Sequence, residues 1–209
     1  MKKIILTALC VGVLGFCQAQ KINLGKAASA VSKGAQALAF SNEDAKKLSK
    51  ESVEWMDKHN PVTDSKSPYT KRLNRLFGKH KSEDGLDLNY KVYHVIDINA
   101  FACADGSVRV FSSLMDLMTD DELLAIIGHE IGHVKNEDTK DAVKSAYMRA
   151  AAQDAAGAAS GAVRALSDTE LGEMANAMLD AKHSKKQESQ ADEYAYNLSL
   201  IHISEPTRL

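Results

Sequence analysis

His129-Glu130-Ile131-Gly132-His133 puts two imidazoles and a carboxylate within five residues. On a helix, residues four apart lie one above the other on the same face, so His129 and His133 aim two nitrogen donors at one point. A tetrahedral Zn²⁺ accepts such a pair. Glu130 lies about 100° round the helix from His129. That puts its carboxylate beside a metal held there but leaves it free to take a proton from water. The chemistry such a trio can do is metal-assisted hydrolysis.

A catalytic zinc keeps three protein ligands and one open position, so a third ligand must come from elsewhere. No His follows at the short spacing of the longer HExxHxxGxxH pattern, because position 139 is Thr. Glu188 is the candidate. It lies on a predicted helix with Asp192 at i+4, so both carboxylates face one way. One can bind the metal while the other accepts a hydrogen bond from a ligand histidine and fixes its tautomer. The alternative is an ordinary solvated charged face beside Lys185 and Lys186. His183 reads as an exposed linker residue and Tyr194 as a core residue, in preference to oxyanion donors. His59, His80 and His94 are assigned no role, and Trp55 is expected in the helical core.

The elements around the motif are those needed to position it. Thr119-Asp-Asp-Glu122 is a capping box that opens a helix. Leu123, Ile127, Ile131 and Val134 recur at helical spacing and mark its buried stripe. Gly128 and Gly132 each cost about 1 kcal/mol relative to Ala inside a helix, which makes sense if another element approaches closely there. Upstream, Ser41-Asn-Glu-Asp44 opens a helix carrying Leu48, Val53 and Met56 that ends at Asn60-Pro61. Ser67-Pro68 opens another, stopped by Gly78. Lys79 to Asp87 reads as a polar loop. From Tyr90 to Ile98 the period changes to two, a strand that Asn99-Ala-Phe-Ala102 continues. Asp105-Gly106 is a turn signal, Ser107 to Phe111 a second strand, and Ser112 or Ser113 caps a short helix through Met118. After His133, Ala-rich helices are predicted over 138–159 and 162–181, then one over 185–197. The fold class expected is α+β, mostly helical, with a small sheet directly before the HExxH helix.

The 209 residues suit one domain or two small ones. With 44% hydrophobic and 26% charged residues the composition is that of a soluble globular protein, and a net charge of −2 offers no electrostatic case for nucleic acid. Residues 1–19 read as a secretory signal peptide: a basic start, a short apolar stretch, and a cut after Ala19. This implies export to the periplasm or cell envelope. A lipoprotein anchor at Cys17 is the lesser alternative, because Phe16 stands where such signals carry a small residue. Cleavage leaves Cys103 as the sole cysteine, expected as a buried hydrophobe. Residues 20–40 are expected as a linker or loosely docked segment and 41–197 as the domain. Residues 198–209, including His202, resemble a translated sequencing adapter and are set aside.

His129–His133 followed by Glu188-Ser-Gln-Ala-Asp192-Glu-Tyr-Ala195, and preceded by Asn99-Ala-Phe-Ala102, Gly106 and a strand before the Leu114 helix, resembles the HtpX and CAAX-prenyl-protease type family of zinc metallopeptidases. With a leader and without multiple membrane spans, the chain is more similar to the periplasmic LoiP- and BepA-like branch. Ala104-Asp105-Gly106 departs from a frequent Pro-Gly-Gly, which alters a turn rather than a ligand. The resemblance implies a zincin-like metalloendopeptidase domain with a gluzincin site. One Zn²⁺ would sit on His129, His133 and Glu188, with Glu130 as general base and Asp192 behind a ligand histidine. Asn99 and Ala100 would lie at the cleft edge, where an extended substrate adds as a strand. It further implies polypeptide substrates, misfolded or unassembled envelope proteins among them, and peripheral association with the envelope membrane. Oligomeric state is left open. The competing reading is a zinc-binding chaperone-like or protein-interaction module with a structural or unused metal.

Overall fold

The computed structural model describes residues 40–153 and 166–204. The stretch 1–19 expected as a signal peptide, Cys17, nearly all of the 20–40 segment, residues 154–165 with the adjoining ends of the two expected Ala-rich helices, and residues 205–209 lie outside the described residues. Seven helices and five strands occur among those described. Helix α1 is Asn42–His59, opened by the Ser41 capping box, and α2 is Pro68–Phe77 with Pro at its first position. Next come the short strands β1 Ser82–Glu83 and β2 Leu86–Asp87, then β3 Asn89–Tyr93, β4 Ala100–Ala102 and β5 Ser107–Phe111. Helices α3 Ser112–Leu117, α4 Asp120–Lys135, α5 Asp138–Gln153, α6 Asp168–Leu179 and α7 Lys185–Ser204 complete the order.

The three-stranded sheet has the order β3-β5-β4, β3 running parallel to β5 and β4 antiparallel to it. That order corrects the expectation of one strand running from Tyr90 through Ala102. The strand stops at Tyr93, because the chain must cross over to reach the far side of β5. Residues 94–99 make that crossing as a loop, and Ile96 and Ile98, expected on a covered face, are 89% and 60% exposed. The loop is fastened by the Ser112 and Ser113 hydroxyls, which both donate to the Val95 carbonyl. Those serines therefore hold the crossover instead of capping α3, whose N-cap is Phe111.

The stretch 79–87, expected as a loop, contains the β1-β2 hairpin. Asp84 and Gly85 both have positive φ, 49° and 81°, the requirement of the two-residue turn for which Asp-Gly is favoured. Lys135 at the end of α4 donates to the Asp84 carbonyl at 2.9 Å and ties the hairpin down. At Gly106, φ is +85° and a Cβ would lie 1.9 Å from the Asp87 carbonyl oxygen, so only glycine fits that turn.

The core is built around α4. Leu123, Ile127 and Ile131 are completely buried against Val92, Val108 and Val110 of the sheet and Leu73 and Phe77 of α2. Two arginines of α2 fix the start of α4. Arg72 Nε and Arg75 Nη2 each reach Asp120 at 2.7 Å, beyond the Thr119–Glu122 capping box. A second cluster joins Leu48 of α1, Val143 and Tyr147 of α5 and Met174 of α6. Trp55 packs at that α1–α6 seam and donates its indole N–H to Asp168 at 2.9 Å. Cys103 is a free, buried thiol, as expected. Helix α7 extends past Asn197 to Ser204, and Leu198 is buried beside Gly128. No helix among the described residues is long and apolar enough to cross a membrane.

Candidate metal centre

The two glycines of α4 set the distance between the two halves of the site. A Cβ at Gly132 would sit 3.0 Å from the Ala191 Cα, and one at Gly128 3.3 Å from the Ala195 Cα. Helix α7 therefore lies directly on α4, backbone against backbone. That contact brings Glu188, one turn before Ala191, over the two histidines.

His129 Nε2 lies 3.0 Å from His133 Nε2. The Glu188 carboxylate is 3.3 Å from the first and 3.9 Å from the second. Ligands about 2 Å from a tetrahedral zinc are separated from one another by about 3.3 Å, so the three donors fit one such ion. The chemistry of the donors agrees. His129 Nδ1 contacts Asp192 Oδ1 at 2.8 Å, and His133 Nδ1 contacts Asp138 Oδ2 at 2.9 Å. Each carboxylate accepts the Nδ1 proton and leaves a lone pair on Nε2. Two lone pairs facing each other at 3.0 Å, with a carboxylate alongside, suit a shared cation.

Glu130 lines the same cleft, which encloses about 250 Å³. Burial is the largest influence on its carboxyl and pushes it up to about 7; the His129 imidazole opposes this and the Glu188 charge adds to it. Asn99, at the end of the crossover loop, and Ala100 and Phe101 of β4 line the cleft. As β4 is the outer strand of its sheet, its free backbone edge borders the site. Thus His129, His133, Glu188, Asp192, Glu130, Asn99 and Ala100 all converge, although 63 residues separate His129 from Asp192.

His183 departs from its expected place in an exposed linker. It is half-buried, lines the cleft, and stacks on His133 with centroids 3.9 Å apart and planes 19° apart. Its pKa is lowered, first by burial and then by the neighbouring His133. Tyr194 is packed against the core by Gly132, as expected, and is not among the residues lining the cleft. Asp138 and its partner Gln187 were missed by the sequence reasoning. The available signal was an acidic residue opening a helix five residues after His133, which by itself reads as an ordinary N-terminal charge. The apolar wall formed by Ala142, Met178, Leu179 and Ala181 also had no local signature.

Fold and site together define a mostly helical protein with small sheets and a cluster of two histidines and one glutamate, in an HExxH setting, that could hold a metal ion. Residues 71–202 match the peptidase family M48, and the chain belongs to that family. It is 39% identical over 164 residues to the metalloproteases YcaL and LoiP of Escherichia coli K12, an alignment that covers 78% of this chain and 65% of each of those proteins. It is also 43% identical over 51 residues to the protease HtpX of Actinobacillus pleuropneumoniae, covering 22% of this chain and 18% of that protein. The chain thus spans 65% of the length of YcaL and of LoiP.

Proposed function

We propose that the chain is a zinc metalloendopeptidase with a zincin-like catalytic domain, exported to the cell envelope and acting on misfolded or unassembled polypeptides there. The observation that carries the peptidase reading is the meeting of His129, His133 and Glu188, with their ligand atoms within 4.8 Å of one another and Glu130 in the same cleft. Export is supported by the basic, apolar and small-residue pattern of residues 1–19. Membership of family M48 and the similarity to YcaL and LoiP, both named metalloproteases, support the activity.

Bound zinc supplies Lewis acidity, which activates water and polarises the scissile carbonyl. The protein does the rest. His129, His133 and Glu188 hold the ion, and Asp192 orients His129. The outer edge of β4 at Ala100, with Asn99 just before it, aligns an extended peptide through backbone hydrogen bonds. Glu130 accepts a proton from the attacking water and hands it to the leaving amine. A carboxyl raised by burial serves both steps, because its affinity for the proton lies near neutrality. The chaperone-like alternative with a structural zinc is disfavoured, because structural sites carry four protein ligands, and here three donors border an open cleft.

Glu130→Gln tests this. Hydrolysis of an unfolded substrate such as casein is expected to fall by about 10²–10⁴-fold, while bound zinc, measured by atomic absorption, is retained. Proteolysis that survives the substitution would remove Glu130 from the mechanism.

A further inference from the structure

We propose that Asp138 is a positioning residue for the metal site, joining the ligand His133 to the helix that carries Glu188. The proposal rests on the metal-binding reading of His133 and Glu188 but not on any peptidase activity.

Asp138 is the first residue of α5 and is only 7% exposed. A carboxylate so deeply buried needs partners for both oxygens, and here the partners come from two different elements. Oδ2 accepts from His133 Nδ1 at 2.9 Å, at the end of α4. Oδ1 accepts from Gln187 Nε2 at 2.8 Å, in the first turn of α7 and next to Glu188. One carboxylate thus determines which nitrogen of His133 keeps its proton and also docks the turn that presents the third ligand. His183, stacked over the His133 ring, covers the pair.

The local backbone supports this role. Glu137, just before Asp138, has φ +62°, in the left-handed region that is strained for a non-glycine residue. The turn reverses the chain between α4 and α5 and returns Asp138 to His133, five residues earlier. The Glu137 side chain is held in turn by Asn42 Nδ2 at 2.6 Å, which anchors the turn to the start of α1.

Zinc affinity measured on the full chain by competition with a chromophoric chelator tests the proposal. Asp138→Asn keeps the size and one acceptor but loses the charge, and the affinity is expected to fall about 10–100-fold. Asp138→Ala should weaken it further. Gln187→Leu, which leaves both His133 and Asp138 in place, should weaken it several-fold and speed amide exchange in the first turn of α7. Adding Gln187→Leu to Asp138→Ala should cost nothing more. A merely structural Asp138 would lower the Tm of the metal-free protein and leave the zinc affinity of the folded variants at the wild-type value; that result overturns the proposal. If Asp138→Ala does not fold, Asp138→Asn and Gln187→Leu decide, and unchanged affinity in both overturns it equally. Casein hydrolysis by the wild-type chain reports separately on the peptidase reading, which can fail while these affinity ratios stand.

Discussion

His129 and His133 make the same contact in different surroundings. Each gives its Nδ1 proton to an aspartate, at 2.8 Å and 2.9 Å. The Asp192 side chain is 75% exposed and the Asp138 side chain 7%. In water, charged contacts are screened and contribute at most about 1 kcal/mol. In the interior, a carboxylate that loses its partner costs several times more. The His133 half of the site is therefore built into the core between α4 and α5, whereas the His129 half lies at the surface and is completed when α7 docks. Equal distances do not mean equal worth; the dielectric around them decides.

The sharpest way to break this comparison is to remove each histidine in the metal-free protein. His133→Ala strands a buried carboxylate and is expected to destabilise by about 3 kcal/mol, His129→Ala by less than about 1 kcal/mol. Urea denaturation measures both, and equal losses would refute the asymmetry.

Asp57 shows whether burial alone makes a carboxylate stabilising. Its side chain is 15% exposed and contacts Lys91, Tyr93 and Arg109 at 2.6–2.8 Å. Burial pushes its carboxyl up, but hydrogen bonds from Arg109, Lys91 and Tyr93 outweigh this and lower it from 3.8 to about 2. A depressed folded pKa stabilises above the unfolded value, so the contribution is complete above about pH 4 and lost as pH falls toward 2. About two pKa units correspond to roughly 2.5 kcal/mol. Acid titrations of stability should show that loss in the wild type and not in Asp57→Asn. Unlike Asp138, whose partners are an imidazole and an amide, Asp57 is held by two formal cations, Lys91 and Arg109, besides the Tyr93 hydroxyl.

The helix contact that completes the site comes next in size. Gly132→Ala must push α7 away from α4 and should cost about 1–2 kcal/mol. At Gly128 the approach is looser, and the gain in helix propensity of about 1 kcal/mol should bring Gly128→Ala within about 0.5 kcal/mol of wild type; urea denaturation reads both. The smallest effect belongs to the exposed pair. Asp192→Asn should weaken zinc binding only a few-fold at low salt, and the difference should shrink further at 0.5 M NaCl as screening takes over.

Much of the site was legible because helical geometry is local. The i, i+4 spacing that put His129 and His133 together needs no knowledge of the rest of the chain. The Thr119–Glu122 capping box and the stripe of Leu123, Ile127 and Ile131 likewise depend on neighbours within a few residues, and the structure has them as expected. Gly128 and Gly132 announced a close neighbour without naming it. The strands were less legible. Alternation carried Tyr90 to Ile98 into one strand because nothing local marks a crossover; the break after Tyr93 follows from β5 lying between β3 and β4. The hairpin at Asp84-Gly85 did carry a local signal, hidden in a short polar stretch.

By itself, then, the sequence determined the HExxH helix, its caps, its buried face and the candidates Glu188 and Asp192. Each of those follows from side-chain chemistry at short spacing. Only the tertiary structure decided that α7 lies on α4 closely enough to bring Glu188 within 3.3 Å of His129, that His183 covers His133, and that Asp138 is buried beneath it. Those placements depend on long-range packing, and whether a carboxylate is a solvated surface charge or a buried anchor is a property of what surrounds it, which no spacing along the chain encodes.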